Sequence, residues 1–205
     1  MHRNSVATLL LLIAVAVLSA ASTSAKESKF NKTLSVGEKA PDFSDLPGID
    51  DKKHGLREYK GAKAVVLVFT CNHCPVAVAY EDRLVALQKE FKDRGVQIVA
   101  VCSNSEETDS LPELKKRAES KKFTFPYLHD SDQKTGQAYG AAVTPHVFLL
   151  DGDRKIAYMG AIDDNPKADK VSKHYLGDAI KAVLAGKSPE TTETRQFGCG
   201  IHYGG

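Results

Sequence analysis

The sequence has little excess of either charge: 28 Lys and Arg residues are balanced by 26 Asp and Glu residues, and the formal net charge is +2. No cluster of basic residues is interleaved with aromatic residues, so the pattern typical of nucleic-acid binding is missing. Internal repeats and low-complexity tracts are absent as well. The composition therefore gives no reason to expect a nucleic-acid partner or a repeat architecture.

Long hydrophobic runs are lacking after the N-terminal segment. That segment begins with the basic Met1-His2-Arg3, continues with an apolar stretch over residues 6–18, and ends in small residues. This order predicts a signal peptide over residues 1–25 with cleavage near residues 21–25, the alternative being a single-span anchor. No cysteine lies in the cleavage region to carry a lipid. We expect an exported protein, periplasmic or extracellular, with no stable membrane span after processing.

Cysteine is scarce but informative. After export the four cysteines would lie in an oxidising compartment, where disulfides persist. The processed chain is long enough for one domain with a sizeable core. We predict that domain over residues 26–188, with a polar C-terminal tail over residues 189–205. The cysteines are Cys71, Cys74, Cys102 and Cys199.

Residues 69–76, Phe-Thr-Cys-Asn-His-Cys-Pro-Val, carry the clearest chemical signal. The apolar run over residues 64–69 predicts a buried strand, and helical spacing begins at Pro75. Cys71 and Cys74 therefore stand where a strand ends and a helix begins. A thiolate there faces unpaired backbone N–H groups and the positive end of the helix dipole, which stabilise its charged, nucleophilic form. The motif predicts thiol redox chemistry.

The rest of the chain alternates between strand and helix patterns. Residues 26–62 are rich in turns, and apolar residues recur at helical spacing from Pro75 until Gly95. Ser110 and Pro112 suit a helix start. This order predicts a thioredoxin-like three-layer α/β/α sandwich with a central mixed sheet. The predicted strands are 65–70, 96–102, 125–128, 146–150 and 155–159, and the later helices are one from Ser110, one over 133–139 and one over 176–186.

The chain from Gly37 to Tyr203 resembles the redoxin branch of the thioredoxin superfamily, which comprises the alkyl hydroperoxide reductase and thiol-specific antioxidant (AhpC/TSA) proteins. Within that branch it is most similar to exported thioredoxin-family proteins with a Cys-Asn-His-Cys-Pro-like site. The resemblance implies a redoxin fold and antioxidant or oxidoreductase activity. It is carried by Gly37–Phe43, Tyr59–Gly61, residues 71–75, Tyr139-Gly140, Thr144–Phe148, Ile162–Asn165 and Gly198–Ile201.

Pro145 is the second informative position. Proteins of the superfamily carry a cis-proline here, facing the redox cysteine, so the resemblance implies a cis Thr144–Pro145 bond. It also implies that the backbone of Thr144 is free to pair with an extended substrate strand, which makes Thr144 and Pro145 candidate substrate-binding residues. The alternative is an ordinary trans proline that opens a strand.

The identity of the attacking cysteine depends on how the motif is aligned. A plain Cys-x-x-Cys interpretation makes Cys71 the nucleophile and Cys74 its partner. Thioredoxins, however, place the attacking cysteine five residues after the strand's last phenylalanine, and peroxiredoxins place a proline directly after it. Both comparisons favour Cys74, which Pro75 also makes the expected helix N-cap. We predict Cys74 as the nucleophile and Cys71 as its partner, and we expect the two to form a reversible disulfide in the exported protein.

Two departures from the family patterns bear on the reaction. Cys71 stands where peroxiredoxins carry a Thr or Ser, and Leu67 stands where they carry a proline, which weighs against peroxide reduction. Val68 replaces the buried acid of thioredoxins, which weighs against thioredoxin-like reduction of disulfides.

Other side chains are candidates for supporting roles. His73 and Cys199 are candidate accessory residues, Cys199 because its Gly-flanked tail could fold over the site. Cys102 is expected to be a buried core thiol, and the acidic residues 163–164 a solvated turn. His146 is either a core histidine or part of the site rim.

We therefore expect a monomeric or weakly oligomeric thiol-disulfide oxidoreductase without a cofactor or a bound metal. Its partners would be a protein or small-molecule disulfide and an unidentified thiol reductant or oxidant. One alternative is a thiol-dependent peroxidase, for which the substrate is a peroxide. A further alternative is a copper-binding metallochaperone that uses Cys71, His73 and Cys74, with His174 or His202 completing the set.

Overall fold

The structure, a computed structural model, describes residues 27–204, so the predicted signal peptide lies outside the described residues. The strands are β1 Leu46–Pro47, β2 Lys53–His54, β3 Ala64–Phe69, β4 Val96–Cys102, β5 Tyr127–His129, β6 Val143–Thr144, β7 His146–Leu150, β8 Ile156–Gly160 and β9 Cys199–Gly200. The α-helices are α1 Pro75–Phe91, α2 Leu111–Ser120, α3 Lys134–Tyr139 and α4 Tyr175–Leu184.

A five-stranded mixed sheet with the order β5-β4-β3-β7-β8 forms the centre. Strand β3 pairs in parallel with β4 and antiparallel with β7, and β8 continues the antiparallel side. Because β3 and β4 are parallel, their carboxyl ends meet at one edge of the sheet. The loops that follow Phe69 and Cys102 therefore lie side by side, and the cysteine pair is in the first of them.

Both faces of this sheet are covered, as its apolar strands require. Helices α1, α2 and α4 cover one face, to which β3 contributes Val66 and Val68. Residues 34–62 and α3 cover the other face, to which β3 contributes Val65 and Leu67. All six side chains of β3 are fully buried. Burial of each aliphatic side chain contributes about 1.5–3 kcal/mol, so the strand that leads into the cysteine pair is firmly held.

The predicted elements agree with the structure most closely at the centre. Strands 96–102 and 146–150 are confirmed to the residue. Helix α1 ends at Phe91, and a 3-10 turn follows until Gly95, which has a φ of +90° and so ends the helix in a conformation that favours glycine. The third predicted strand begins at Tyr127 and not at residue 125. The preceding Pro126 has no N–H to donate to a ladder.

Among residues 27–204, no helix combines the length and the apolar character needed to cross a membrane.

Candidate active site

The cysteine pair lies in the turn between β3 and α1. Pro75 occupies the first helical position, and Cys74 is the N-cap with extended backbone angles (φ −76°, ψ 116°). Its sulfur accepts a hydrogen bond from the backbone N–H of Ala77 at 3.4 Å. The predicted N-cap is therefore observed, with the thiol of Cys74 at the positive end of the 17-residue helix α1.

The second wall of the site comes from the loop before β7. The Thr144–Pro145 peptide bond is cis, as the resemblance implies. The Cys74 sulfur lies 3.1 Å from the carbonyl oxygen of Thr144, and the Cys71 sulfur lies 3.2 Å from the hydroxyl of the same residue. The structure thus brings together four of the predicted site residues, Cys71, Cys74, Thr144 and Pro145. All four described cysteines are free thiols, so the Cys71–Cys74 disulfide stays a prediction.

The two thiols of the pair differ in acidity. A hydrogen bond from Cys71 lowers the pKa of Cys74 to about 4 against the effect of burial, with further help from Cys199, the Ala77 N–H and the Thr144 side chain. The same hydrogen bond, together with burial, raises the pKa of Cys71 well above its ordinary value. The carbonyl oxygen of Thr144 can accept a hydrogen bond from Cys74 only while that thiol is protonated, so it opposes ionisation of Cys74. The groups that donate to the Cys74 sulfur outnumber this one acceptor, and the pKa of Cys74 is lowered on balance. Cys74 is therefore the acidic member of the pair.

Asp109 holds the turn from the neighbouring loop after β4. Its carboxylate is fully buried. One oxygen accepts from the backbone N–H groups of Asn72 and His73, at 2.7 and 3.3 Å, and the other lies 2.5 Å from Nδ1 of His73. We did not predict Asp109 from the sequence. The available signal was the adjacency of the loops after two parallel strands, one with the cysteines and one with an acidic run.

His73 lies at the rim of the site with its side chain 28% exposed. Burial opposes its charged form, but the hydrogen bond to Asp109 and the negative charges of Asp109, Glu106 and Cys74 raise its pKa. A protonated His73 places a positive charge near the Cys74 thiolate, which is the environment of reactive cysteines.

The acidic turn at residues 163–164 corrects a prediction. Asp164 is half-buried and accepts hydrogen bonds from Ser172 and Lys173, whereas Asp163 is only 2% exposed. Asp163 accepts from the hydroxyl of Tyr80 at 2.7 Å and from the guanidinium of Arg83 at 2.5 Å. These partners lie on successive turns of α1, and a buried carboxylate needs such partners. Asp163 therefore fixes α1 to the loop after β8 and is not a solvated turn residue.

Two further candidates are core residues. Cys102 is fully buried, as predicted, and burial raises its pKa far above the ordinary value. His146 is 1% exposed and its ring lies 4.5 Å from the ring of Phe148, and burial lowers its pKa to about 3. His146 is therefore a neutral core histidine and not part of the site rim.

Cys199 reaches the site from the C-terminal tail. Strand β9 pairs antiparallel with β6, with Cys199 opposite Thr144 and Gly200 opposite Val143. The backbone of Thr144 is therefore occupied by the chain's own tail, where the resemblance implied a free edge. A hydrogen bond with Cys74 raises the pKa of Cys199 to about 11.

One group of metal-ligand side chains is found in residues 27–204, with the ligand atoms of Cys71, His73 and Asp109 within 4.8 Å of one another. Both Asp109 oxygens already accept hydrogen bonds from the turn, and the set contains neither Cys74 nor His174 or His202. The arrangement fits an organising carboxylate better than the copper site of the alternative hypothesis.

Comparisons with known proteins agree with this geometry. Residues 36–159, more than half of the chain, match the AhpC/TSA family. The thiol-disulfide oxidoreductase ResA of Geobacillus thermodenitrificans is 33% identical over 128 residues, which cover 60% of this chain and 67% of that protein.

Solved structures give the fold. A hypothetical protein from Sinorhizobium meliloti 1021 aligns with a TM-score of 0.79 at 32% identity, over 85% of this chain and 97% of that one. A thioredoxin-family thiol:disulfide interchange protein from Chlorobium tepidum TLS aligns with a TM-score of 0.58 at 22% identity, over 72% of this chain and 97% of that one, a likeness that shows the fold alone. The predicted thioredoxin-like α/β fold is confirmed.

Proposed function

This chain belongs to the AhpC/TSA family, and we propose that it acts as a thiol-disulfide oxidoreductase in which Cys74 attacks and Cys71 resolves. The observation that carries this assignment is the place of Cys74 at the N-cap of α1, where its sulfur accepts from the Ala77 N–H at 3.4 Å and its pKa is lowered to about 4. At neutral pH its sulfur is a thiolate, which is the form that attacks a disulfide. Cys71 is protonated, and both sulfurs contact Thr144. Cys71 gives up its proton to the departing substrate sulfur when it resolves the mixed disulfide.

The reaction then proceeds by two exchanges. The Cys74 thiolate attacks one sulfur of a substrate disulfide, a mixed disulfide forms, and the first substrate thiolate leaves. Cys71 attacks the Cys74 sulfur, the Cys71–Cys74 disulfide forms, and the second substrate thiol is released. The protein pair is oxidised by two electrons and the substrate disulfide is reduced by two. The reverse sequence oxidises a substrate dithiol.

A disulfide is favoured over a peroxide as substrate by the residue at position 71. Cys71 occupies the place where peroxiredoxins carry a hydroxyl that helps to hold the peroxide. Side-by-side turnover of a model disulfide and hydrogen peroxide by the purified protein tests this choice. We expect disulfide turnover to exceed peroxide turnover by at least roughly tenfold. Faster peroxide turnover would make the protein a thiol peroxidase.

We also propose that the protein is exported. Export is supported by the order of basic, apolar and small residues over residues 1–25. Mass spectrometry of the protein recovered from an extracytoplasmic fraction should give a chain that begins between residues 22 and 26. A full-length chain retained with the membrane would favour the single-span anchor.

A further inference from the structure

The C-terminal tail lies where an incoming strand would have to lie to reach the cysteine pair. Strand β9 pairs with β6 directly before Pro145, and Cys199 is opposite Thr144. The carbonyl of that same Thr144 contacts the Cys74 sulfur. An extended partner recognises such an edge through main-chain hydrogen bonds. The tail therefore occupies the edge next to Cys74 as an internal strand.

The sequence of the tail is fitted to this close approach. Gly198 has a φ of +153°, a conformation that L side chains rarely adopt. A Cβ at this position would overlap the carbonyl oxygen of Thr144. Gly200, in the same strand, has open space around an added Cβ and no positive φ. Only the first of these two glycines is needed to bring Cys199 against the site.

The tail is also fixed on both sides of Cys199. Upstream, the backbone N–H of Thr194 donates to the carbonyl of Met159 at 3.1 Å, and its hydroxyl lies 2.7 Å from that of Tyr158. Downstream, Ile201 is buried and its N–H donates to the carbonyl of Ala142 at 3.0 Å. The pairing of Cys199 with Thr144, next to Cys74, thus belongs to a segment that is held at both ends.

Solvent reaches the three thiols unequally. Cys74 is fully buried and Cys71 is 2% exposed, whereas Cys199 is partly exposed. A thiol or disulfide from solvent therefore meets Cys199 before it meets either member of the pair.

We propose that Cys199 is a third redox-active cysteine, which forms a reversible disulfide with Cys74 and thereby connects the buried pair to thiols and disulfides in solvent. This inference rests on the proposed thiol-disulfide exchange at Cys74. It assigns a role to a residue that lies outside the family match over residues 36–159.

The exchange balances without any additional oxidant. Starting from the Cys71–Cys74 disulfide, the Cys199 thiolate attacks the Cys74 sulfur, and Cys71 leaves and takes up the proton that Cys199 gave up. A solvent thiolate attacks the exposed Cys199 sulfur, and Cys74 leaves as a thiolate, which its acidity favours. A second solvent thiolate displaces Cys199. Two solvent thiols become one disulfide and the protein pair is reduced; the reverse order reduces a solvent disulfide.

A Cys71→Ser variant treated with oxidised glutathione tests the proposal. We expect glutathione to be released and peptide mapping to find Cys74 linked to Cys199. In the Cys71→Ser/Cys199→Ser control, one glutathione should stay on Cys74. A stable adduct on Cys74 of Cys71→Ser, with Cys199 free, would overturn the inference and leave the proposed function intact. A double variant whose Cys74 reacts neither with oxidised glutathione nor with the smaller iodoacetamide would instead contradict the proposed function. Reaction with iodoacetamide alone would support access of solvent disulfides through Cys199.

Glycine variants separate a positioned Cys199 from one that reacts by chance. In the Cys71→Ser background, Gly198→Val keeps every reacting thiol but should displace the tail. A misplacement of about 1 Å can cost about a hundredfold in rate, so the Cys74–Cys199 link should form roughly a hundredfold more slowly. Gly200→Ala should leave that rate unchanged. Equal rates in the two variants would contradict a role for the tail strand.

Discussion

Replacing Cys74 by Ser is expected to lower disulfide turnover by roughly a thousandfold or more, toward the rate of uncatalysed exchange. The reason is that Cys74 alone combines a pKa near 4 with a position at the N-terminus of α1. The remaining thiols at the site have raised pKa values and are protonated at neutral pH. Steady-state reduction of a model disulfide, with circular dichroism to verify folding, measures the effect.

Cys71→Ser is the matched comparison. The hydroxyl that this substitution introduces can still donate to the Cys74 sulfur, so the first attack should persist in a single turnover. Multiple turnover then depends on Cys199 and should be lost in full only in Cys71→Ser/Cys199→Ser. If Cys74→Ser retained the first attack and Cys71→Ser lost it, the assignment would be reversed and the plain Cys-x-x-Cys interpretation would hold.

Replacing Asp109 by Ala should destabilise the reduced protein by about 2–3 kcal/mol. The substitution leaves the N–H groups of Asn72 and His73 without their acceptor, and a buried donor without a partner costs about 1–3 kcal/mol. The expected loss lies at the low end of the sum for two such donors, because Asn72 is half-buried and His73 is exposed. The turn that carries the cysteines should loosen, and disulfide turnover should fall as well. Urea unfolding measures the change in free energy.

Asp109→Asn separates the charge of this carboxylate from its acceptor role. An amide oxygen can still accept from the backbone, so the loss of stability should be smaller than in Asp109→Ala. The raised pKa of His73 makes its pairing with Asp109 stabilise the fold fully below pH ~6.5, the unfolded value, and that contribution is lost as pH rises through the folded pKa. The difference in the free energy of unfolding between wild type and Asp109→Asn should therefore become smaller above neutral pH. A difference that grows there would exclude a stabilising ion pair between His73 and Asp109.

The centre of the fold could be predicted from sequence because its signals are local. Strands β4 and β7 are largely apolar runs, with Gln97 in β4 and His146 at the start of β7 as the exceptions, and their bounds agree with the prediction. The bounds of β5 depend on pairing with β4 and on Pro126, which a single-strand pattern does not describe. The buried role of Asp163 depends on Tyr80 and Arg83, which are 83 and 80 residues away from it in the chain.

The site shows the same division between local and distant signals. The acidic cysteine could be assigned from the strand, the proline and the helix spacing around residues 69–76. The sequence suggested that the tail with Cys199 folds over the site, but neither its pairing opposite Thr144 nor the contacts of Asp109 could be assigned, because both depend on tertiary structure. A carboxylate and a Gly-flanked cysteine are common in solvated loops and tails, so neither pattern by itself fixes the contacts that the residue makes in the folded protein.

The pH dependence of the thiolate ultraviolet absorbance of the reduced protein tests the central claim most directly. We predict a titration step near pH 4 in the wild type, which is missing from Cys74→Ser. A wild-type protein without a thiolate step below pH ~7, or a step that survives in Cys74→Ser, would contradict the assignment of Cys74 as the nucleophile.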